Sequence, residues 1–330
     1  MATKWPHFTP QDFVQKLSSF RRDFHKNYFV MFSSTWQGFS TDPELWGIPP
    51  DDHMAHRGDG VFESFKCVNS RVYCLNEHLT RLQNSASFLG IDIPLVFYET
   101  LDILKEAYRL GGQKDFVIRL CISRGRGSFS VNPYDTQGSE YYLVTVRLSR
   151  PSPEKYSEGV KIITAPFPAK QEFSEIKSCD YLHNVLVKKA GLDAGADYAV
   201  SFDKDGFLTE GPTENILILT KDKELLAPPW NRILRGITLS RVLAKGEELV
   251  QKGLIRAVRN QDIHRKDLFQ NLEEAFLTST SFDLLPITIW DGQKVGDGTP
   301  GPIGKELLRL IDDEVHGENT FTTSLIETPK

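Results

Sequence analysis

Residues 175–184, with the sequence EIKSCDYLHN, decide how the rest of this chain is interpreted. Ser178 and Asp180 stand just before an apolar helical stretch and are its candidate N-caps, which places Lys177 at the positive end of a helix dipole. A positive potential disfavours the ammonium form of lysine, and an unprotonated lysine is a nucleophile. On this segment alone, however, a solvated surface lysine is the simpler interpretation of Lys177.

The overall composition is that of an ordinary globular protein. The chain has 330 residues, 40% hydrophobic and 25% charged, and this length favours two domains. A formal net charge of -5 gives no reason to expect nucleic acid or an anionic membrane as a partner. The sequence shows neither an apolar signal core nor an apolar run of membrane-spanning length. The cysteines and histidines lack the spacing of metal ligands, so we expect no metal site. The cysteines are expected to be reduced thiols, as in a cytoplasmic protein.

The sequence pattern changes about halfway along the chain. The polar stretch SRPSPEKYSEG contains two prolines and marks a linker. Beyond it, YAVSFDKDGFLTEGPTENILIL alternates short apolar runs with turns, which predicts an antiparallel meander. We therefore predict a two-lobed α+β or α/β fold with the functional site in the cleft. The predicted parts are an N-terminal α/β lobe with a mixed sheet at 1–148, a linker at 149–158 and an antiparallel, β-rich C-terminal lobe at 159–330.

Several other polar residues are candidates for a site. Glu210 falls on the same strand face as Leu208, which is unusual for a carboxylate unless it has a partner or lies at a solvated edge. Arg81 lies on a helical stripe beside the apolar one and is either solvated or a bidentate anion ligand. Residues 236–238 begin a helix whose free N–H groups suit a phosphate, and Thr280 belongs to a cluster of hydroxyls.

Together these residues are the parts that a pyridoxal 5'-phosphate (PLP) site requires, namely a lysine, an acid and a phosphate cradle. From about residue 50 to 304 the chain resembles the fold-type IV PLP enzymes, or class IV aminotransferases. This family includes D-amino-acid aminotransferase, branched-chain aminotransferase and aminodeoxychorismate lyase. The matching stretches, in family order, are HRGDGVFESF, EHLTRLQNSASFLGI, EIKSCDYLHNVLVKKA, GADYAVSFDKDGFLTEGPTENILIL, APPWNRILRGITLSRVL and EAFLTSTSFDLLPI.

The resemblance implies a role for each candidate. Lys177 is the expected catalytic residue, which forms the Schiff base with PLP and shuttles the proton. Glu210 is expected to pair with the pyridinium nitrogen, and Tyr181 to reach the phenolic oxygen. The family is usually a dimer whose partner chain completes the substrate pocket, so a homodimer is expected. The implied cofactor-binding residues are Arg81, Lys177, Tyr181, Glu210, Ile237, Thr238 and Thr280.

The substrate side resembles more than one branch of the family. Phe62 stands where D-amino-acid aminotransferases have a tyrosine near the substrate carboxylate, and the Arg-x-His pair of their loop is missing here. Arg119 matches a strand arginine of branched-chain aminotransferases. The layout as a whole is most similar to the D-amino-acid aminotransferase and aminodeoxychorismate lyase-like branch known from plants. The candidate substrate-binding residues are Phe62, Arg119, Arg124, Arg126 and Ser279.

The function implied by the resemblance is amino-group exchange between an amino acid, with D-amino acids favoured, and a 2-oxo acid. Three alternatives remain open: an aminodeoxychorismate lyase that releases pyruvate and p-aminobenzoate, a branched-chain aminotransferase, and a PLP-binding protein without turnover. Kinship of fold does not choose between transamination and lyase chemistry. The presence of both Lys177 and Glu210 argues against a protein without turnover.

Overall fold

A computed structural model describes residues 5–169 and 173–326, so the outer ends of both predicted lobes, 1–4 and 327–330, lie outside it. Within the described ranges, no helix is long and apolar enough to cross a membrane. The α-helices, labelled α1 to α9 in chain order, are Pro10–Leu17, His53–Arg57, Leu75–Phe88, Thr100–Gly111, Pro153–Ser157, Leu182–Asp193, Ile237–Gln251, Arg265–Leu268 and Pro302–His316. The strands, β1 to β15, are Tyr28–Ser33, Gly38–Ser40, Gly60–Val68, Arg71–Tyr73, Phe116–Ser123, Glu140–Arg147, Val160–Thr164, Tyr198–Val200, Asn215–Thr220, Glu224–Ala227, Ala257–Asn260, Leu272–Ser279, Asp283–Trp290, Gln293–Lys294 and Thr322–Ser324.

Two β-sheets, each covered by helices, form the two lobes. The first sheet has the strand order β15-β4-β3-β5-β6-β1-β2, and α3 and α4 pack against it. Phe65, Leu82 and Leu104 belong to the core between them. The second sheet has the order β11-β10-β9-β12-β13-β7-β8, with α7 and α9 packed on it around Leu243 and Leu307. The predicted two-lobed α+β fold is therefore confirmed.

The sheet types, however, are the reverse of the prediction. Every pairing in the described part of the first sheet is antiparallel, whereas the second sheet is mixed. Strands β7 and β8 are joined through α6, and β10 and β11 through α7, and both pairs run parallel. A strand's alternation of side chains does not identify its neighbour, and a helical crossover makes parallel pairing feasible. The predicted meander is interrupted, because β8 pairs with β7 instead of β9.

The chain passes between the lobes twice. The sheets separate between β6 and β7, in the stretch expected to be a linker, and that stretch contains α5. The Tyr156 hydroxyl of α5 donates a hydrogen bond of 3.3 Å to Phe282 O, which ties this stretch to the second lobe. At its end the chain returns, because β15 pairs with β4 and Leu325 is buried in the first core. Residues 322–324 thus belong to the first sheet, although the prediction assigned everything after 159 to the C-terminal lobe.

Strand β3 is buried on both faces and lies between the two lobes. Its odd-numbered residues, such as Phe65, pack towards α3. Its even-numbered residues face the second lobe, where Ser64 O accepts a hydrogen bond from Thr280 and Lys66 forms an ion pair with Asp283. Since a strand alternates its side chains between two faces, one strand can build both a core and a cleft wall.

Helix α3 supplies polar side chains to the cleft because its sequence carries two stripes. Leu82 and Ala86 are buried in the core of the first lobe. His78, Arg81 and Ser85 follow one another at three- and four-residue spacing, which places them on a neighbouring face of the helix. This second stripe faces β3 and the segment that carries Lys177.

Candidate active site

Lys177 is held in the cleft by the edge of strand β3. Phe62 N donates to Lys177 O at 2.9 Å, and Cys179 N donates to Gly60 O at 2.8 Å. On α3, Ser85 Oγ accepts a hydrogen bond of 3.3 Å from Lys177 N. The lysine is therefore positioned by the first lobe, although the helix that follows it packs against β8 of the second.

The surroundings of Lys177 differ from the predicted helix start. Helix α6 begins at Leu182 with Tyr181 as its N-cap, so the prediction of Ser178 or Asp180 as the cap is wrong. The extended pairing with β3 continues past Lys177 and delays the helix. Lys177 Nζ instead donates a hydrogen bond of 3.0 Å to the Tyr181 hydroxyl and lies 4.7 Å from the centroid of the Phe62 ring. These two aromatic side chains orient the amine.

Glu210 provides a carboxyl group on the second lobe. Its Oε2 accepts hydrogen bonds from Leu234 N at 3.1 Å and Asn215 Nδ2 at 2.8 Å. Burial raises the pKa of Glu210 to about 8, although the charge of Lys177 and the Leu234 hydrogen bond act in the opposite direction. A cationic group beside this carboxyl would favour its charged form. A protonated pyridine nitrogen is such a group, so Glu210 fits the ring end of PLP.

Arg81 is fixed in orientation by a buried acid. Glu63 accepts from Arg81 Nε at 2.6 Å and from Arg81 Nη2 at 2.8 Å, and it also contacts His78 Nδ1 at 2.6 Å. Burial acts to raise the pKa of Glu63, but the Arg81 and His78 charges overcome it and hold the pKa at about 2. Arg81 Nη1 donates to Arg235 O at 2.8 Å. This guanidinium is therefore pre-oriented at the beginning of α7.

Together with Arg81, the first turn of α7 is a candidate cradle for a phosphate group. Gly236 is the N-cap of α7, and Ile237 and Thr238 are its first two residues. The first N–H groups of a helix have no partner within the helix and suit an anion. A Cβ on Gly236 would stand 1.8 Å from Asn215 Oδ1, so the close approach of these segments requires glycine. With Arg81, this turn has the donor types that a phosphate group binds. Thr280 lines the same cavity, and its hydroxyl donates a hydrogen bond to Ser64 O.

Two adjoining cavities bring most of the predicted residues together. The larger has a volume of about 460 Å³, and the smaller, of about 90 Å³, contains Glu210. Lys177 and Tyr181 line both, so the amine stands between the carboxyl group and the phosphate cradle. This order of groups fits PLP. The predicted residues that line the larger cavity are Phe62, Arg81, Arg119, Lys177, Tyr181, Ile237, Thr238, Ser279 and Thr280.

Among the residues that the structure describes, Arg124 and Arg126 lie outside both cavities. Arg124 Nε binds Asp59 at 2.6 Å, and its other nitrogens donate to carbonyls that follow α3. Arg126 pairs with Asp51 at 3.1 Å. Both are thus engaged by their own chain, whereas the Arg119 guanidinium lies 5.2 Å from the Phe62 ring centroid and has no carboxylate partner in the described ranges.

Several residues of the cleft were not among those predicted from the sequence. Glu63 carried a signal, because it is a carboxylate between the apolar residues Val61 and Phe65 on one face of a strand. Thr278 Oγ1 is buried without a hydrogen-bond partner in the described part of the chain, and Thr278 lines the larger cavity. Arg147 lines it too, but its position at the end of β6 gave no signal. These contributions depend on how distant strands are paired.

The chain is similar to a known protein family and to several known enzymes. A sequence model of the family Amino-transferase class IV matches residues 60–290. The "D-amino-acid transaminase, chloroplastic" of Arabidopsis thaliana is 33% identical over 295 residues, which cover 88% of this chain and 77% of that protein. The D-alanine aminotransferase of Bacillus licheniformis is 31% identical over 272 residues, 82% of this chain and 93% of that protein. A branched-chain amino acid aminotransferase from T.th., solved with pyridoxamine 5'-phosphate, matches with a TM-score of 0.81 at 25% identity, covering 91% of this chain and 99% of that chain.

We expect Glu210 to make the stability of the PLP-free protein fall as the pH rises. Its carboxyl pKa is about 8 in the folded chain against an ordinary value of 4.5, so the folded state binds this proton more tightly. The resulting stabilisation is fully present below about pH 4.5 and is lost as the pH rises through about 8. In Glu210→Gln the fall should be flatter, as measured by thermal unfolding from about pH 5 to about pH 9.

Glu273→Gln provides the control, because Glu273 is a partly exposed carboxylate that pairs with Lys223 at the surface. It should retain the pH dependence of the parent. Equal pH dependence in the parent and in Glu210→Gln would contradict the assignment of this proton to Glu210.

Proposed function

Because the chain belongs to the class IV aminotransferases, which use PLP, we propose that it exchanges an amino group between a D-amino acid and a 2-oxo acid. The observation that carries this proposal is the placement of Lys177 between Glu210 and the cradle formed by Arg81 and the start of α7. The amine, the acid and the phosphate ligands come from both lobes. Their convergence on one cleft is the arrangement that PLP-dependent transamination needs.

The chain's own groups act at defined atoms. When bound, PLP supplies an electron sink for the carbon that loses its proton. Lys177 Nζ, oriented by the Tyr181 hydroxyl at 3.0 Å, takes the proton from the substrate Cα as a general base. Glu210 would hold a proton at the ring nitrogen, because a cation beside this carboxyl favours its charged form. Arg81 and the N–H groups of Ile237 and Thr238 hold the phosphate.

We assign the substrate carboxylate to Arg119. Its guanidinium faces the larger cavity, and no acidic residue of the described chain lines that cavity. Phe62 offers an aromatic ring beside Arg119 and Lys177 but no hydroxyl. A carboxylate entering the cavity would therefore meet a positive charge, and arginine can bind it through two parallel hydrogen bonds. Ser279, at the end of β12, offers a further donor.

The choice of D-amino acids rests on the relatives. Two of them are named as D-amino-acid and D-alanine transaminases, at 33% and 31% identity over most of this chain. The solved structure with a TM-score of 0.81 is a branched-chain aminotransferase, which supports the same amino-group chemistry on another substrate. The chirality of the substrate is therefore the part of the proposal that most needs an experimental test.

Replacing Lys177 tests the central step. The variant Lys177→Ala should lose the visible absorption band of the lysine-bound cofactor. Its reaction rate should fall at least about 100-fold, because a positioned acid–base group is removed. An absorbance scan of purified protein measures the first effect, and single-turnover kinetics the second. Lys189→Ala, which removes an exposed lysine paired with Asp193, should leave both unchanged. An unaltered band in Lys177→Ala would remove the central claim.

A panel of half-reactions tests the substrate and Arg119 together. Mixing the holoenzyme with D- and L-amino acids should convert the cofactor to pyridoxamine phosphate faster with the D-enantiomers. Arg119→Leu should raise KM by about 30-fold, since losing a hydrogen bond to a charged group costs about 2 kcal/mol. Arg126→Leu is the matched control, because Arg126 pairs with Asp51 and lies outside the described cavities.

Two outcomes of the panel would change the proposal. Conversion by L-amino acids alone would contradict the D-preference while leaving transamination intact. Release of pyruvate from aminodeoxychorismate without any 2-oxo acid would indicate lyase chemistry instead.

The quaternary state that we propose is a homodimer, as is usual for the family. Phe129, Val131 and Tyr134 support it, because these apolar side chains are 66%, 83% and 91% exposed in one loop after β5. A group of exposed apolar side chains on one loop marks a candidate interface. Light scattering on a size-exclusion column should give the mass of two 37.4 kDa chains. Val131→Asp should shift it towards one chain, and a parent protein that elutes as one chain would refute the dimer.

A cytoplasmic location is part of the same proposal. The free cysteines Cys67, Cys74, Cys121 and Cys179 suit a reducing compartment. Fractionation of cells that express the tagged full chain measures the location, and recovery from an organelle fraction would contradict it.

A further inference from the structure

Lys66 is a buried lysine in the wall between the lobes. Its side chain is 1% exposed, and its Nζ forms an ion pair with Asp283, whose side chain is 6% exposed. The ring of Tyr73 lies 5.6 Å from the same nitrogen. Removing both charges from water carries a large desolvation cost, and two apolar side chains of similar volume are often no less stabilising. The pair is therefore poorly explained as a source of stability alone.

The position of Asp283 connects this ion pair to the cleft. Asp283 begins β13 and is paired with Ser279, the last residue of β12, so the two residues close the turn between these strands. The backbone of Asp283 has a φ of 63°, a conformation that aspartate and asparagine tolerate better than most residues. The turn that these strands enclose carries Thr280 and Ser281, which line the larger cavity with Ser279.

Strand β3 holds this turn at two neighbouring points. Ser64 O accepts a hydrogen bond of 3.0 Å from Thr280 Oγ1, and Lys66, two residues further along the same face, binds Asp283. On the outer side, Phe282 O accepts the hydrogen bond from Tyr156. The turn belongs to the second lobe, whereas Ser64 and Lys66 belong to the first. The Lys66–Asp283 pair therefore sets the distance across the cleft between the turn and β3.

We infer that Lys66 and Asp283 are positioning residues, whose buried ion pair places the 279–281 turn where it can bind the cofactor phosphate and the substrate carboxylate. This inference rests on the proposed function, because it concerns the affinity of the same cleft. Lys66 contacts neither Lys177 nor Glu210 in the described structure and acts through the turn. A displacement of about 1 Å in the groups that orient a substrate can lower kcat/KM up to about 100-fold.

The test uses the holoenzyme of the full chain with the double variant Lys66→Met/Asp283→Asn. It removes both charges, methionine fills the space of the lysine stem, and asparagine retains the positive φ. We expect PLP release and the KM for the amino acid to rise about tenfold or more, while kcat changes by less than about threefold. Dialysis followed through the visible band measures release, and half-reaction kinetics separate KM from kcat.

The control variant is Glu314→Gln. Glu314 is another buried carboxylate, and it pairs with Arg241 at 2.7 Å and Lys245 at 3.0 Å between α7 and α9. This change should lower the melting temperature and leave PLP release and KM within about twofold of the parent. If the double variant does not fold, Asp283→Asn alone is judged by the same measurements.

Two results would overturn the inference. One is PLP release and KM within about twofold of the parent in the variant, whatever its melting temperature. The other is an equal rise of PLP release and KM in Glu314→Gln, which would show a general effect of lowered stability. PLP release needs no turnover, so a parent enzyme without transamination would refute the proposed function and leave this comparison valid.

Discussion

The position of Lys177 depends on two backbone hydrogen bonds at the edge of β3, between Phe62 and Lys177 and between Cys179 and Gly60. Through them the strand joins both lobes at the Lys177 amine. One face of β3 binds α3, and the other contacts the second lobe through Ser64 and Lys66. Because both faces and both edges of β3 are occupied, a displacement of the strand would move the Lys177 amine, Arg81 and the 279–281 turn together. Rigid support of this kind is what a preorganised site requires.

The two acids of the cleft, Glu63 and Glu210, have opposite electrostatic surroundings. Glu63 is paired with the Arg81 guanidinium and hydrogen-bonded to His78, and these contacts hold its pKa at about 2. Glu210 receives only neutral amide donors, and burial raises its pKa to about 8. The first acid is already satisfied and orients an arginine, whereas the second favours the arrival of a cation. This difference suits Glu63 to the proposed phosphate end of the cleft and Glu210 to the proposed ring end, since environment sets a carboxyl group's role.

The structure brings many of the predicted site residues into one cleft but differs from the predicted local settings. Lys177, Arg81, Glu210 and Thr280 were chosen from residue types and motif order, and the structure gathers them into one cleft. The cap of α6 was wrong because pairing with β3 extends the chain beyond Lys177, which no local propensity records. The sheet types were exchanged because parallel pairing follows from crossovers through α6 and α7. Tertiary contacts override local preference in both cases.

The sequence by itself determined the family and supplied the residue types of the cleft, because a lysine, an acid, an arginine and a helix start follow one another in the family's order. It also determined the two-lobed fold, through the linker and the change of pattern around it. Only the tertiary structure decided which arginines face the cavity. Strand pairing places Arg119 beside the Phe62 ring, whereas Arg124 is bound by Asp59. It also decided that Lys66 meets Asp283, 217 positions away. Contacts between distant segments depend on how whole sheets pack, which local periodicity does not encode.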